Sequence, residues 1–429
     1  MRALLLILIA SSALGQGRFD RFNQRTDQGR STRGFEQSSY AFFEFAPASG
    51  AGMGTACACT TPTGAKGEAL TFTRAGDATC SKQGLATTGI ANGDLVACTA
   101  NQPRVESSGG VLGLRVEGAR TNALLRFIDY ANATWADVAT PTLTGSQTSP
   151  FTGALASSAV QFDDNDGAAF EGRTQTVTVT AATAYTMSCY VKAGTLASWT
   201  LSLDGTTASG TGLSSTTWSL VTVADASSSG VAIAAQALNG STAAATGTVI
   251  WGGCQVEAGA YATSMIPTVA AAVTRNADVP YFALTGPGLS VGSMAATVQV
   301  APSASFPYAL TASTANPPPG SGFDQFALYS NGTAGATWAC FVGANAAVYA
   351  TGSVVPGAGT SRRGWCSAGG AGGVVNGAVN GVSMTASGAI AGPFGAENFL
   401  FVGTINNALT AVDSIVSRVC RDPDPTRCR

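Results

Sequence analysis

The chain has 429 residues, a formal net charge of −2 and charged side chains at only 11% of its positions, so it carries no basic stripe for a phosphate backbone and nucleic acid is excluded as an expected partner. Histidine is absent, which removes the Ser-His-Asp triad, the Cys-His pair and histidine-ligated zinc in one step. At this length two or three domains are expected, each able to bury a core of its own.

Met1-Arg2 gives a positive start, Ala3 to Ala10 a short apolar run, and Ala13-Leu14-Gly15 a small-x-small pattern before Gln16. This predicts a secretory signal peptide over 1–15. The run is far shorter than the roughly 20 residues of a membrane-spanning helix. The expected location is outside the cytoplasm, secreted, periplasmic or at a cell surface, with no membrane span.

In an exported chain the ten cysteines read as disulfides rather than as redox or metal groups. The expected pairs are Cys80 with Cys98, Cys189 with Cys254, Cys340 with Cys366, and Cys420 with Cys428, although sequence alone leaves connectivity open. Cys57 and Cys59 remain, and they could chelate a metal only with further ligands.

Residues 16–39 are rich in Arg and Gln without any period that could bury a face, which predicts a flexible polar arm. Its arginines, Arg18, Arg21, Arg25, Arg30 and Arg33, are diluted by Asp20, Asp27 and Glu36. From 40 to 125, short apolar runs such as ALTFTRAG and GVLGLRVEG lie between Gly, Asn and Pro and predict a small N-terminal β-module.

Residues 126–280 show period-2 alternation throughout. Val177 and Val179 alternate with threonines. Tyr185, Met187, Cys189 and Val191 share one face, opposite Thr186, Ser188, Tyr190 and Lys192. Trp199, Leu201 and Leu203 alternate next, followed by runs at 218–223, 231–237 and 249–256. Such spacing predicts a two-sheet antiparallel sandwich. On the last run strict alternation puts Ile250, Cys254 and Val256 on one face and Trp251 on the other. A second sandwich is expected over 281–429, with Asn376-Gly377 and Asn380-Gly381 as hairpin signals. The fold class expected is therefore all-β, with two antiparallel sandwiches behind a small β-module.

Three stretches carry a resemblance: TFTRAGDATCSKQG from residue 71, VLGLRVEGARTNALLR at 111–126, and VIWGGCQVEAGAYATSMIPTVAAAVTRNADV at 249–279. They resemble tail-fibre and head-spike-fibre proteins of bacteriophages and their bacterial relatives. One shared pattern falls on Gly113, Leu114, Glu117, Arg120, Thr121 and Asn122. A second falls on Trp251, Gln255, Glu257, Ser264, Ile266, Pro267, Arg275 and Asp278, and TAYTMSCYVKAG resembles a further strand of the group. The resemblance covers about residues 68–280. It implies a carbohydrate-binding-module-like jelly roll at 126–280 and a laminin-G or concanavalin-A-like sandwich at 281–429. The signal peptide and cysteines depart from virion proteins and favour a bacterial surface or secreted protein.

Among candidate sites, Asp163, Asp164 and Asp166, with Glu171 just after, offer oxygen ligands around a glycine turn, and a structural calcium ion is the cation such a set would take. The alternative is an acidic, solvated hairpin loop. Sugar binding on a sandwich relies on exposed aromatic faces, and Tyr190 is the candidate because its strand neighbours are polar. Trp251, facing outward or into a subunit contact, is the second, whereas Trp199 and Trp218 read as core. Glu117, Arg120 and Asn122 read as a structural constellation in which a buried Arg-carboxylate pair locks a loop.

No catalytic residues are assigned, because the carboxylates of the C-terminal sandwich are scattered rather than paired across a cleft. No cofactor is required. The expected function is non-catalytic recognition of glycans or cell-surface polysaccharides. A structural fibre or adhesin component, assembled as a homo-oligomer such as a trimer, is the alternative, and a glycoside hydrolase of unusual design the third. Three Asn-x-Ser/Thr sites stand at Asn132, Asn239 and Asn331.

Overall fold

The computed structural model describes residues 41–44, 70–82, 88–108 and 111–283, and beyond these the strands of 292–422. The expected signal peptide, the polar arm, Cys57, Cys59 and Cys428 lie outside the described residues. The fold is all-β with antiparallel sheets. Among the described residues the one helical element is a single 3-10 turn at Gly153–Leu155.

The central sandwich has two sheets. A six-stranded sheet runs in the order Thr142–Gln147, Ala159–Asp164, Gly247–Ala258, Tyr185–Ala193, Trp218–Asp225, Thr88–Ile90. A five-stranded sheet runs Thr206–Thr211, Ser198–Leu203, Ala232–Asn239, Gly172–Thr178, Ala136–Val138. The alternating apolar residues meet in one core cluster: Met187, Val191, Val223, Val249 and Phe162 from the first sheet, Val177, Leu201, Leu203, Ile233 and Ala235 from the second. Burying a side chain of this kind contributes about 1.5–3 kcal/mol, and loss of period-2 registry would turn the set to water.

Among its described residues the segment 40–125 makes no separate sheet beyond a two-stranded pair, Ala78–Ser81 with Leu95–Cys98. Its other strands are shared out. Leu70–Thr73 pairs with Val279–Ala283 at the edge of a seven-stranded sheet, while Ala41–Glu44 and Val111–Val116 both pair with Ser414–Asp422 in an eight-stranded sheet. Arg104–Ser108 extends that sheet, and Thr88–Ile90 joins the central sandwich. Short apolar runs identify strands but say nothing about partners distant in sequence. The outer pair of sheets therefore takes strands from both sides of the central sandwich, which apart from Thr88–Ile90 is inserted between Val116 and Val279.

Within the eight-stranded sheet Asn376 and Gly377 lie inside the Val375–Val379 strand, paired with Ser367 and Cys366. They are not a hairpin turn. Val379 instead pairs with Val382, across Asn380 and Gly381. The backbone places Cys340 in the seven-stranded sheet and Cys366 and Cys420 in the eight-stranded one. The expected pairings of these three lie outside the described side chains. Cys80–Cys98 and Cys189–Cys254 are disulfides, the second linking neighbouring strands at directly opposed positions.

Candidate functional site

The insertion point is built from charge. The chain leaves the outer sheets after Val116 and returns before Val279, and the two ends are tied by Asp278 N–H to the Glu117 carbonyl and by Glu117 N–H to Asp278 Oδ2, both at 2.9 Å. A two-stranded stem, Arg120–Asn122 with Val273–Arg275, continues into the insert. Around it, Glu117 receives Arg104 at 2.7 Å, Arg115 at 2.6 Å and Arg275 at 2.6 Å. Asp278 receives Arg74 at 3.0 Å and also Arg104, and Glu106 receives Arg115 at 3.1 Å. Burial opposes ionisation of Glu117, yet the three guanidinium groups hold its carboxyl well below the usual range.

The expected constellation at Glu117, Arg120 and Asn122 is a structural one, with different partners from those anticipated. Arg120 leans over the Tyr261 ring and donates to its hydroxyl at 2.8 Å. Asn122 Oδ1 accepts the N–H groups of Leu124 and Val256, and its Nδ2 donates to Ile266 O. Gln255 and Glu257 grip Thr263 in the same region, through Gln255 Nε2 to Thr263 O and Thr263 N–H to Glu257 Oε1. Burial pushes the Glu257 carboxyl up to about 7, against hydrogen bonds from Thr263. The motif residues are thus committed to holding the stem and have no free face for a ligand.

Tyr190 is not an exposed platform. It is 3% exposed, and its ring meets Phe151 edge-on at 5.9 Å. Burial raises its hydroxyl pKa. All nine residues of Tyr185–Ala193 are buried: on the face that alternation left polar, Phe151 packs on Tyr190, Thr186 donates to Gly259 O and Lys192 lies over the Trp218 ring.

Trp251 is likewise a core residue, 0% exposed, stacked on Phe162 and donating its indole N–H to Asn239 Oδ1 at 3.0 Å. The cause is a β-bulge. Cys189 opposes Cys254 but Val191 opposes Trp251, so one strand advances two residues while the other advances three, and the parity of facing reverses across Gly252-Gly253. A side chain at either bulge position would crowd its neighbours: a Cβ on Gly253 would lie 2.6 Å from Phe127, forcing that ring to shift, and one on Gly252 3.2 Å from Trp218 and Tyr190, a tight contact. The segment 127–130 satisfies the disrupted ladder, with Cys254 N–H to Phe127 O at 2.7 Å and Tyr130 hydroxyl to Gly252 O at 2.8 Å.

The acidic loop is closed on itself rather than arranged for calcium. Asp164 Oδ2 accepts Glu171 N–H, Asp164 Oδ1 accepts Asp166 N–H, and Asp166 Oδ1 accepts Ala168 N–H. Glu171 takes Thr140 N–H and hydroxyl on one oxygen and Asn165 N–H on the other. Asp163 lies on the strand, paired with Thr142 and Thr248. Among the described residues no group of three or more acidic, Cys or His side chains is arranged to hold a metal. The segment joins the two sheets of the sandwich, so it is a connection stitched by side-chain-to-backbone bonds and not a hairpin.

One face of the central sandwich is open in part, with Ser198, Thr200 and Ser202 on it buried at 7%, 4% and 7% exposure. The inner side of the five-stranded sheet is core, and its outer side presents Thr174, Thr176 and Thr178 beside Gln236, Ala234 and Ala232, with Ser202, Thr200 and Ser198 and then Thr207, Ser209 and Thr211 on the far flank. Thr176, Thr178, Thr207, Ser209 and Thr211 are exposed. No outward residue of these strands is charged or aromatic. The sequence signal for this face was the threonine alternation at 174–178, which reads equally as any solvated strand.

No protein-family model and no curated protein matches the chain. Among solved structures, the tandem CBM22-1–CBM22-2 domain from Paenibacillus barcinonensis Xyn10C is similar at 10% identity, over 73% of this chain and 99% of that one, with a TM-score of 0.23. A likeness that slight carries no argument here. No helix among the described residues is long and apolar enough to cross a membrane.

Proposed function

We propose that this is an exported, non-catalytic binding protein whose ligand is a neutral glycan or cell-surface polysaccharide, taken on the outer face of the five-stranded sheet. The observation that carries the reading is the contrast between the two sheets. The two middle strands of the six-stranded sheet, Tyr185–Ala193 and most of Gly247–Ala258, are buried on both faces, whereas the five-stranded one turns uncharged hydroxyl and methyl groups to solvent at Thr176, Thr178, Ala232 and Ala234 and again at Thr207, Ser209 and Thr211, on either side of the buried Ser198, Thr200 and Ser202. Hydroxyls and Gln236 can exchange hydrogen bonds with sugar hydroxyls, and threonine methyls can meet the apolar C–H patches, with no charge to desolvate. Without an aromatic platform, affinity depends on many weak contacts along an extended chain. The buried carboxylates, engaged by arginines, Thr263 or backbone N–H groups, support a non-catalytic role.

The test is a glycan array and insoluble-polysaccharide pull-down with the oxidised chain and with Thr176→Glu and Gln236→Glu. Binding to a neutral polymer that both variants lose is the expected result. Binding unchanged in both variants, or none to any neutral glycan, would sink the proposal.

A second reading, a structural fibre or adhesin subunit assembled as a trimer, is favoured by one feature. Residues 269–273, Val-Ala-Ala-Ala-Val, are exposed throughout, with Val269 at 63% and Val273 at 40%. A contiguous apolar run on an otherwise hydroxyl-rich surface suits a subunit contact. Light scattering decides it, since a monodisperse monomer at high concentration rejects assembly.

A further inference from the structure

Asn92 lies in the turn between Thr88–Ile90 and Leu95–Cys98, and Lys192 near the end of Tyr185–Ala193, a sequence separation of 100. The two meet at one oxygen. Trp218 Nε1–H donates to Asn92 Oδ1 at 2.8 Å, and Lys192 Nζ reaches the same oxygen at 3.2 Å. The lysine head also lies over the Trp218 ring, 4.7 Å from its centroid. Lys192 is 7% exposed and Trp218 0%, whereas Asn92 is exposed.

This is an unusual setting for a lysine. Among the described residues no carboxylate pairs with it, and burial lowers its pKa. A sequestered ammonium without a counter-charge is costly, which eases loss of the proton that exposes the nucleophilic amine. The carboxamide oxygen it faces is polarised by a fixed indole N–H, the arrangement that stabilises negative charge developing on an oxygen. The acceptor carbon Cγ is one carbonyl bond, about 1.23 Å, beyond that oxygen. That geometry leaves Nζ roughly 3.4–4.4 Å from Cγ, so a small side-chain shift brings the pair to attack distance, where an intramolecular step has a large advantage.

From this geometry we propose that Lys192 and Asn92 are joined by an intramolecular isopeptide bond. Lys192 Nζ, having released one proton to water, attacks Asn92 Cγ, and the carbonyl electron pair moves onto Oδ1, where the Trp218 N–H holds it. As the pair returns, the Cγ–Nδ2 bond breaks. One proton passes from Nζ to the departing nitrogen, and ammonia leaves through the exposed side of Asn92. No oxidant, cofactor or second substrate enters the balance. The product is a secondary amide that ties the turn to a central strand of the six-stranded sheet and fastens the cover containing Ile90 and Leu95. Unlike the disulfides, it survives a reducing environment.

Mass spectrometry of the folded, purified chain tests the proposal. The sample is denatured, reduced, alkylated and digested with trypsin. The expected result is no cleavage after Lys192 and one branched peptide that contains both Asn92 and Lys192, lighter by one ammonia than the sum of the Asn92 peptide and the uncleaved Lys192 peptide, as the intact chain is lighter by one ammonia than its sequence mass. Asn92→Ala and Lys192→Arg should each abolish the branched species and restore cleavage at 192. Linear peptides alone, ending at Lys192 and carrying an intact Asn92, would overturn the proposal, and that reading comes from the wild-type chain whether or not a variant folds. Trp218→Phe keeps a ring over the lysine and removes the N–H. It should lower the branched fraction, and an unchanged fraction would overturn the activating role given to the indole.

Discussion

Replacing Glu117 by glutamine tests whether the ion cluster at the insertion point holds the two sandwiches together. The substitution keeps the shape of the side chain and removes its charge, leaving Arg74, Arg104, Arg115 and Arg275 with only Glu106 and Asp278. Three guanidinium groups within 2.7 Å of Glu117 lose their charged partner, and the Ser264 hydroxyl, donating to it at 2.6 Å, keeps only a neutral acceptor. Breaking a buried ion pair from one side costs about 3–5 kcal/mol. For a domain of this size each kcal/mol moves Tm by about 2–4 °C, so calorimetry at neutral pH should show a fall of roughly 6–20 °C. The control is Asp129→Asn, whose carboxylate is half exposed and 4.0 Å from Arg126; it should cost no more than about 1 kcal/mol. If Glu117→Gln melted as close to wild type as that control does, the cluster would be incidental and the reasoning refuted.

Three further outcomes are expected. Because burial raises the folded-state pKa of Glu257 to about 7 from the ordinary 4.5 of a glutamate, the folded chain holds that proton more tightly than the unfolded one. Stability should therefore fall as pH rises from about 4.5 through about 7, by on the order of 3 kcal/mol, and urea titrations of Glu257→Gln should lack this slope. Removing the Cys189–Cys254 bridge, which spans 65 residues, should lower stability by about 4 kcal/mol, against about 3 kcal/mol for the 18-residue span of Cys80–Cys98, as loop-closure entropy predicts; paired Cys→Ala variants compared by urea midpoint check the ranking. Gly253→Ala, which places a methyl 2.6 Å from Phe127, should cost about 1–3 kcal/mol through overpacking, while Gly205→Ala, with open space around it but a φ of +84°, should cost only its backbone strain, about 1–2 kcal/mol.

Strand identity was legible because period-2 alternation is a local property. Thr174 to Val179, Tyr185 to Val191 and Trp199 to Leu203 all lie where the pattern put them. So was the Cys189–Cys254 bridge, once those strands proved to be neighbours. Facing was lost where one residue broke the period: the extra position at Gly252-Gly253 sends Trp251 inward, and nothing in a pair of glycines distinguishes a bulge from a loop. Burial was lost at Tyr190 because its cover comes from Phe151, remote in sequence. The acidic residues at 163–171 show a different limit, since short Asp/Asn/Gly runs serve both cation sites and self-bonded turns, and only the direction of each oxygen separates the two. The Asn92–Lys192–Trp218 meeting had no sequence signal, as its members share neither a motif nor a strand.

The insertion also sets a schedule for synthesis. Thr73 and Val279, paired at the edge of the seven-stranded sheet, are separated by 206 positions. At translation rates of about 5–20 residues per second, the earlier strand waits roughly 10–40 s for its partner to be made. Throughout that interval its backbone donors and acceptors are open to any neighbouring chain on the same message. A late-completed edge of this kind makes delivery of the polypeptide in an unfolded, chaperone-held form an advantage, because both halves of the outer sheets can then arrive before either has to pair.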